Sequence, residues 1–458
     1  MAKPEALEAV LGGVKTQSRP SALKITDLRC VDIAGAPMHC TLLKIFTNQD
    51  LVGYGEVRDA ASKTYALMLK SRLLGENPCD VDKLFRRLKQ FGGQARQGGG
   101  VSGVEVALWD LAGKAYAVPV YQMLGGKFRD RIRMYCDTDV QGKDTGAAMG
   151  GALKRRLGMG FTFLKMDLGV QQIIHQPGAL TAPRGWRDEL RTPSPPAQGA
   201  GGGLTAEYRW WRNRAYDRQN VAHPFTGIHI TEKGLDLLEH DIAQVRDIIG
   251  DEVPLAIDHF GHIGVEDCIR LARRIEKYSP AWLEDMVPWQ LTEQYARLAR
   301  ATTIPICTGE DIFLKENVRP LLDAGGVSVI HPDVLTAGGI LETKKIGDLA
   351  QEYGVAMALH MAESPVGCLA AVHAAAATEN FLALEFHSAD VPWWDDLVCG
   401  VPKPIVKDGF ISVPDRPGLG IESLNDEVIA RHIHPEIPGR WESTQRWDNE
   451  WSHDRLWS

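Results

Sequence analysis

Three acidic residues, Asp258, Glu284 and Glu310, recur at intervals of 26 residues in PLAID, AWLED and PICTGE, each closing a short apolar run. Asp333 follows 23 residues on, His360 lies 27 beyond that and Glu385 a further 25, in SVIHPD, AMALH and FLALE. Three carboxylates drawn to one point repel one another unless a cation sits among them. Hard oxygen donors favour Mg²⁺, which leaves coordination positions for water or substrate. An aspartate beside a histidine fixes its tautomer and raises its basicity, so Asp333 and His360 read as a general acid/base pair. In FTFLKMD, Lys165 and Asp167 lie two apart and face the same way if the segment is a strand. Lys165 can then offer its charge to a substrate carboxylate, and Asp167 can orient Lys165 or accept from a hydroxyl. The competing reading is a salt bridge inside the fold. Glu385 reads as a hydrogen-bond donor to a carboxylate turning into an enediolate, if protonated, or else as a helix cap. Acidic strand ends also cap helices in many proteins, but three in step favour a metal.

A constant pitch of 23 to 27 residues fits one strand plus one helix. RIRMYCD, FTFLKMD, PLAID, AWLED, PICTGE, SVIHPD, AMALH and FLALE are eight such strands, with helical segments such as VEDCIRLARRIEKY between most of them. The pattern predicts an α/β fold, a parallel (β/α) barrel over 132–400, with the reactive side chains at the carboxyl ends of the strands. From Lys165 to Asp258 the chain is too long for one unit. The surplus, 170–225, holds TPSPPAQGAGGG and YRWWRNRAYDR and should project from the same face as a lid, a subunit contact or a disordered loop. Ahead of the barrel, 1–21 reads as a loose arm and 22–131 as an α+β domain. Its hairpin turns at Asn48-Gln49-Asp50, helical spacing runs from Ala61 to Phe91, and a glycine-rich stretch precedes VEVALWDLAGKAY. Residues 401–458 end in a tryptophan-rich tail with Trp441, Trp447, Trp451 and Trp457, which is costly to leave exposed and predicts packing on the body or on another subunit.

Composition narrows the partners. Across 458 residues Lys plus Arg number 51 and Asp plus Glu 59, a net charge of −8, which gives no pull toward nucleic acid or anionic lipid. No window resembles a spanning helix or a signal peptide. The eight cysteines are scattered without a CxxC pair, which suits a reducing cytoplasm.

Taken together, the strings FLKMD, LAIDHF, WLEDM, CTGED, HPDVLTAGGI and ALHMAESPVG resemble the enolase superfamily, and the Asp333/His360 pair resembles its mandelate racemase subgroup. The resemblance covers roughly residues 22 to 425, including VSGVEVALWDLAGKAYAVPVYQMLGG. It implies a modified TIM barrel, (β/α)7β, under an N-terminal α+β capping domain to which the C-terminal segment returns. It further implies Mg²⁺ on Asp258, Glu284 and Glu310, and removal of the proton α to a carboxylate. Racemases of the subgroup carry Lys-x-Lys on the second strand, the second lysine serving as a base opposite the histidine. Here that position is Asp167, so two-base racemisation loses a partner, whereas dehydration needs one histidine to take the α proton and protonate the departing β-hydroxyl. The resemblance therefore implies an acid-sugar dehydratase, a hydro-lyase turning an aldonate or aldarate into a 2-keto-3-deoxy acid. Epimerisation or racemisation, cycloisomerisation and a non-catalytic metal-binding assembly protein stand behind it. Further residues follow from position. Phe260 shares the parity of Asp258, whereas His259 points away. His262 and Glu363 are placed to touch substrate, His387 lies near the rim, Trp394 forms a pocket wall or subunit contact, and His331 packs a layer deeper. The expected partners are a small-molecule acid sugar and further copies of the chain, with neither nucleic acid nor membrane.

Overall fold

The structure, a computed structural model, describes residues 20–138, 142–143, 145–173, 176–181, 229–258 and 263–450. His259, Phe260 and His262, most of the 170–225 segment, Trp451 and Trp457 lie outside the described residues. The cap begins with three antiparallel strands, β1 (Ile25–Ile33), β2 (Cys40–Thr47) and β3 (Val52–Val57), paired Leu28 to Ile45 and Leu43 to Gly55. Asp50, in the predicted turn, has the positive φ of 59° that closes the β2–β3 hairpin. The helical stretch expected from Ala61 to Phe91 is broken into short pieces, of which α1 (Val81–Leu88) is the longest. Pro78 lies in the break ahead of α1, where it cannot serve a helix interior.

The glycine-rich stretch belongs to a helix. α2 (Gly99–Tyr116) starts inside it and lies across β3, and a Cβ on Gly103 would fall 2.2 Å from the carbonyl oxygen of Glu56. Backbone thus meets backbone, and no other residue type permits that approach.

Eight parallel strands follow. They are β4 (Arg131–Cys136), β5 (Leu164–Asp167), β6 (Leu255–Asp258), β7 (Trp282–Glu284), β8 (Ile306–Thr308), β9 (Val329–Ile330), β10 (Ala356–Leu359) and β11 (Phe381–Phe386). Each pairs with the next, and β11 pairs back with β4 through Glu385–Tyr135 and Phe386–Cys136, closing the barrel. Among the described residues, the helices of nine residues or more that connect them are α3 (Gly146–Gly158), α4 (Glu232–Ile249), α5 (Val265–Ile275), α6 (Thr292–Ala301), α7 (Lys315–Asp323), α8 (Ile340–Glu352) and α9 (Pro365–Ala376). The expected (β/α)7β barrel under an N-terminal cap is the architecture present. Tyr135, Phe163, Ala256, Trp282, Cys307, Val329, Ala358 and Ala383 fill the bore as a separate cluster, Trp282 standing edge-on to Tyr135 at 5.3 Å.

Beyond β11, the pair β12 (Val398–Cys399) and β14 (Ser423–Leu424) forms a small sheet, while β13 (Phe410–Ser412) runs antiparallel to β4. The chain then returns to the cap, Ala34 donating to the His432 carbonyl and His434 to that of Asp32. Buried Lys70 gathers Asp27, Thr444 and Asp448, and Trp447 packs on the cap cluster.

Two cap glutamates dock on barrel helices. Glu56 accepts from the backbone of Ser364 and Gly367 at the start of α9, and Glu105 from Ile340 and Leu341 at the start of α8. A carboxylate at a helix N-terminus meets unpaired N–H groups and the positive end of the dipole. These helices follow β9 and β10, so the cap is seated over the strands that deliver Asp333 and His360. All eight cysteines are free thiols. Among the described residues no helix is long and apolar enough to cross a membrane.

Candidate active site

Parallel register determines which side chains meet at the barrel mouth. Asp167, Asp258 and Glu284 are direct neighbours across β5, β6 and β7, so three acids stand in a row. Lys165 answers them. Its ammonium, 2% exposed at the side chain, lies 3.0 Å from Asp258, 2.6 Å from Glu284 and 2.7 Å from Glu385. Salt bridging inside the barrel is thus present, and Asp167 is not the group that holds Lys165. Glu284 also accepts from the Trp282 indole at 2.7 Å, with His331 Nδ1 3.2 Å away. Burial pushes the Glu284 carboxyl up, but His331 and Lys165 outweigh it and hold it at about 2. His331 is fully buried against Tyr135, in the deeper layer expected of it.

Glu310 follows β8 and turns away from this row. Its carboxylate lies 3.2 Å from His360 Nε2 and 3.6 Å from Arg58. The three expected ligands therefore do not form one of the tight donor groups among the described residues, which are Glu284–Cys307–His331, His360–Glu385–His387 and Asp333–His360–Glu363. The charge balance nonetheless calls for a cation. Burial, then Glu284, Asp167 and Asp285, push Asp258 well above the usual carboxylate range, and burial and Asp137 push Asp167 up to about 8. Asp285 is raised as well, by burial, Glu310 and Glu284. A crowd of hard oxygen donors that repel one another is of the chemical kind that takes a divalent ion.

Asp333 and His360 are paired by the backbone as a parallel bridge, and Nδ1 of the imidazole lies 2.6 Å from Asp333 Oδ2. Asp333 also accepts from the Leu335 N–H and from Arg58. Burial opposes its charge, yet Arg58 and His360 hold Asp333 far below the ordinary range. Arg58 comes from the cap just past β3 and is fully buried, touching Asp333, His360 Nδ1 at 2.7 Å, Asp59 at 2.8 Å and Glu363 at 3.4 Å.

Several placements differ from expectation. Glu363 is fully buried beside the Asp333–His360 pair, where burial and Asp333 push its carboxyl well above the usual range. Trp394 is 2% exposed, stands edge-on to Phe386 at 5.2 Å and donates to the Glu363 carbonyl, so it supports the wall from behind. Burial pushes the Glu385 carboxyl up, but Lys165 and His387 hold it well below the usual carboxylate range. His387, half-buried, stands between Glu385 and Asp137. Arg58 and Asp137 escaped the sequence reading. Asp137 closes RIRMYCD as the other acids close their strands, a signal that was available; Arg58 sits in a cap string with nothing to point at its partners.

Comparisons with known proteins agree with this layout. Residues 30–125 match the mandelate racemase/muconate lactonizing enzyme N-terminal domain and residues 213–427 the enolase C-terminal domain-like family. A D-xylonate dehydratase of Haloferax volcanii is 32% identical over 421 residues, spanning 90% of each chain. The chain belongs to the enolase superfamily. This superfamily member is also 26% identical to a D-galactonate dehydratase of Verminephrobacter eiseniae, over 89% of this chain and 94% of that one. Among solved structures, a mandelate racemase/muconate lactonizing enzyme-like protein from Rubrobacter xylanophilus superposes with a TM-score of 0.75 at 29% identity, over 91% of this chain and 99% of that one. A mandelate racemase/muconate lactonizing enzyme from Jannaschia sp. gives 0.71 at 28%, with the same coverage. The chain is an enzyme of this superfamily, whose members depend on a metal ion.

Proposed function

We propose that this enzyme is a Mg²⁺-dependent dehydratase of an acid sugar, an aldonate or aldarate of five to six carbons, releasing water and a 2-keto-3-deoxy acid. The observation that carries the reading is the pairing of His360 with Asp333 on one side of the mouth, while the opposite strand offers the carboxyl of Asp167 where a two-base racemase needs an ammonium. The dehydratase names of the relatives at 32% and 26% identity support it.

In this reading Asp258, Glu284 and Glu310 would hold the ion, which supplies a positive charge to the substrate carboxylate and so acidifies the neighbouring C–H. Asp333 fixes the His360 tautomer with Nδ1–H toward itself, leaving the Nε2 lone pair to accept the proton from the α carbon. Lys165 places a fixed cation against the enediolate that forms, in a site where burial makes such a charge effective. The cap over β9 and β10 excludes water while the carbanion character lasts. We place the enzyme in the cytoplasm as a homo-oligomer; neither nucleic acid nor membrane has a part.

A screen of acid sugars with Mg²⁺, detecting 2-keto acid, tests the proposal. Keto-acid formation from at least one is expected. Exchange of the α proton in D₂O with no keto acid from any of them replaces dehydration by epimerisation, and metal-dependent assembly with neither reaction removes the catalytic reading.

A further inference from the structure

Dehydration moves two protons: one leaves the α carbon, and another must reach the β oxygen as its bond to carbon breaks. The barrel mouth holds two aspartate–histidine pairs. In the first, Asp333 and His360 sit at the ends of β9 and β10, joined by the backbone, with Nδ1 toward Asp333 and Nε2 3.2 Å from Glu310. In the second, Asp137 and His387 follow β4 and β11, the pair that closes the barrel, and the Asp137 N–H donates to the Phe386 carbonyl. Nδ1 of His387 lies 3.2 Å from Asp137, and Nε2 lies 3.1 Å from Glu385. The two imidazoles stand with centroids 5.8 Å apart and planes tilted 50°. That separation is a suitable span for groups serving adjacent carbons of one substrate.

His387 differs from His360 in a way that suits the opposite task. Its Nε2 is near Glu385 but not aligned to donate to it, and among the described residues this buried nitrogen has no hydrogen-bond acceptor. A buried donor left open costs free energy, which an incoming hydroxyl would recover. Burial alone would favour the neutral ring, but Asp137 and Glu385 outweigh it and raise His387 to about 9. The groups facing the ring are Asp137 just past β4, Lys165 and Asp167 on β5, His360 just past β10 and Glu385 on β11; the anions outnumber Lys165. The ring therefore carries its proton at neutral pH.

We propose that His387, held by Asp137, is the acid of the dehydration, protonating the β-hydroxyl while His360 takes the α proton. This rests on the dehydratase reading and deepens it. The α C–H bond breaks, its proton passing to His360 Nε2 and its electron pair becoming the new C=C bond. The β C–O bond breaks, its electron pair leaving on oxygen, which departs as water with the proton of His387 Nε2. The enol left behind takes a proton at the β carbon and loses one from oxygen to give the 2-keto acid. His360 returns its proton to solvent, and His387 regains one.

His387→Asn in the otherwise intact enzyme tests the assignment on an acid sugar that the wild type dehydrates. Water loss should fall by roughly a hundredfold or more, while exchange of the α proton in D₂O stays within a few-fold of wild type. The analogue bearing fluorine in place of the β-hydroxyl needs no acid to expel its leaving group, so His387→Asn should release fluoride at nearly the wild-type rate. Asp137→Asn keeps the shape of the pair and should move the alkaline limb of the dehydration profile to lower pH. Unchanged water loss in His387→Asn overturns the assignment. So does equal loss of exchange, fluoride release and dehydration, which marks the residue as structural. A wild type that exchanges the α proton yet dehydrates no acid sugar removes the underlying reading and this one with it, and does so before any variant is made.

Discussion

His360 and Glu284 sit in the same mouth but have separable tasks, and substitution should separate them. His360→Asn should abolish turnover and α-proton exchange while leaving Mg²⁺ affinity within a few-fold, because the imidazole touches Glu310 only at its edge. Calorimetric titration of the metal alongside a turnover assay checks this, and retained activity would remove His360 as the base. Glu284→Gln takes away a charge that Lys165 and His331 also lean on, so Mg²⁺ affinity should drop by a factor of ten or more. Unchanged affinity would move the ligand set elsewhere. These residues were legible because each acid ends a short apolar run at constant pitch. Arg58 was not legible: its partners Asp333 and His360 lie about three hundred positions away, and nothing in YGEVRD distinguishes a buried cation from a surface one. Glu363 and Trp394 were misplaced for a related reason. Sequence position puts them beside the mouth, whereas burial behind the histidine depends on how α9 and the chain after β11 pack.

Strand order and closure were readable from period alone, while the cap was read less well. The helix over 61–91 breaks where Pro78 intervenes, and the glycine-rich stretch ahead of the next helix turns out to supply the contact face of α2. The proline is a local signal, whereas the glycine contact answers to tertiary packing, which local pattern does not encode. Between these elements lies a titratable seam. His373 on α9 is fully buried, accepts the Tyr121 N–H at Nδ1 and stacks on that ring at 5.8 Å. Burial lowers it from 6.5 to about 4. A histidine depressed in the folded state leaves the unfolded chain binding more protons between those values, so this group contributes stability above pH 6.5 that is lost as pH falls toward 4. The loss is on the order of 3 kcal/mol at full extent. Denaturant midpoints at pH 7 and pH 4.5 should diverge less in His373→Gln than in wild type, and an equal divergence would acquit this residue.

At the scale of the molecule, the C-terminal segment acts as a clasp. It runs from β11 around to the cap, where Thr444 accepts from Lys70 and Asp448 pairs with the same ammonium at 2.5 Å. Ending the chain after Arg440 would leave Lys70, 3% exposed at the side chain, with Asp27 as its anionic partner. Such a loss is worth about 1–3 kcal/mol. The truncated enzyme should melt several degrees lower and show a raised KM with a smaller change in kcat, since the barrel keeps the chemistry and the cap covers the substrate. Thermal unfolding with steady-state kinetics decides it, and an unaltered melt would deny the clasp. Sedimentation of the full chain tests the oligomer.

The arginine that the cap sends into the barrel has a consequence for how such enzymes diversify. Recombination that brings in a foreign N-terminal module would also remove the guanidinium that neutralises Asp333, and with it the setting of the histidine next door. The two domains are therefore inherited together here, and a chimaera would need a cation at the position of Arg58 before its histidine could be set as it is in this chain.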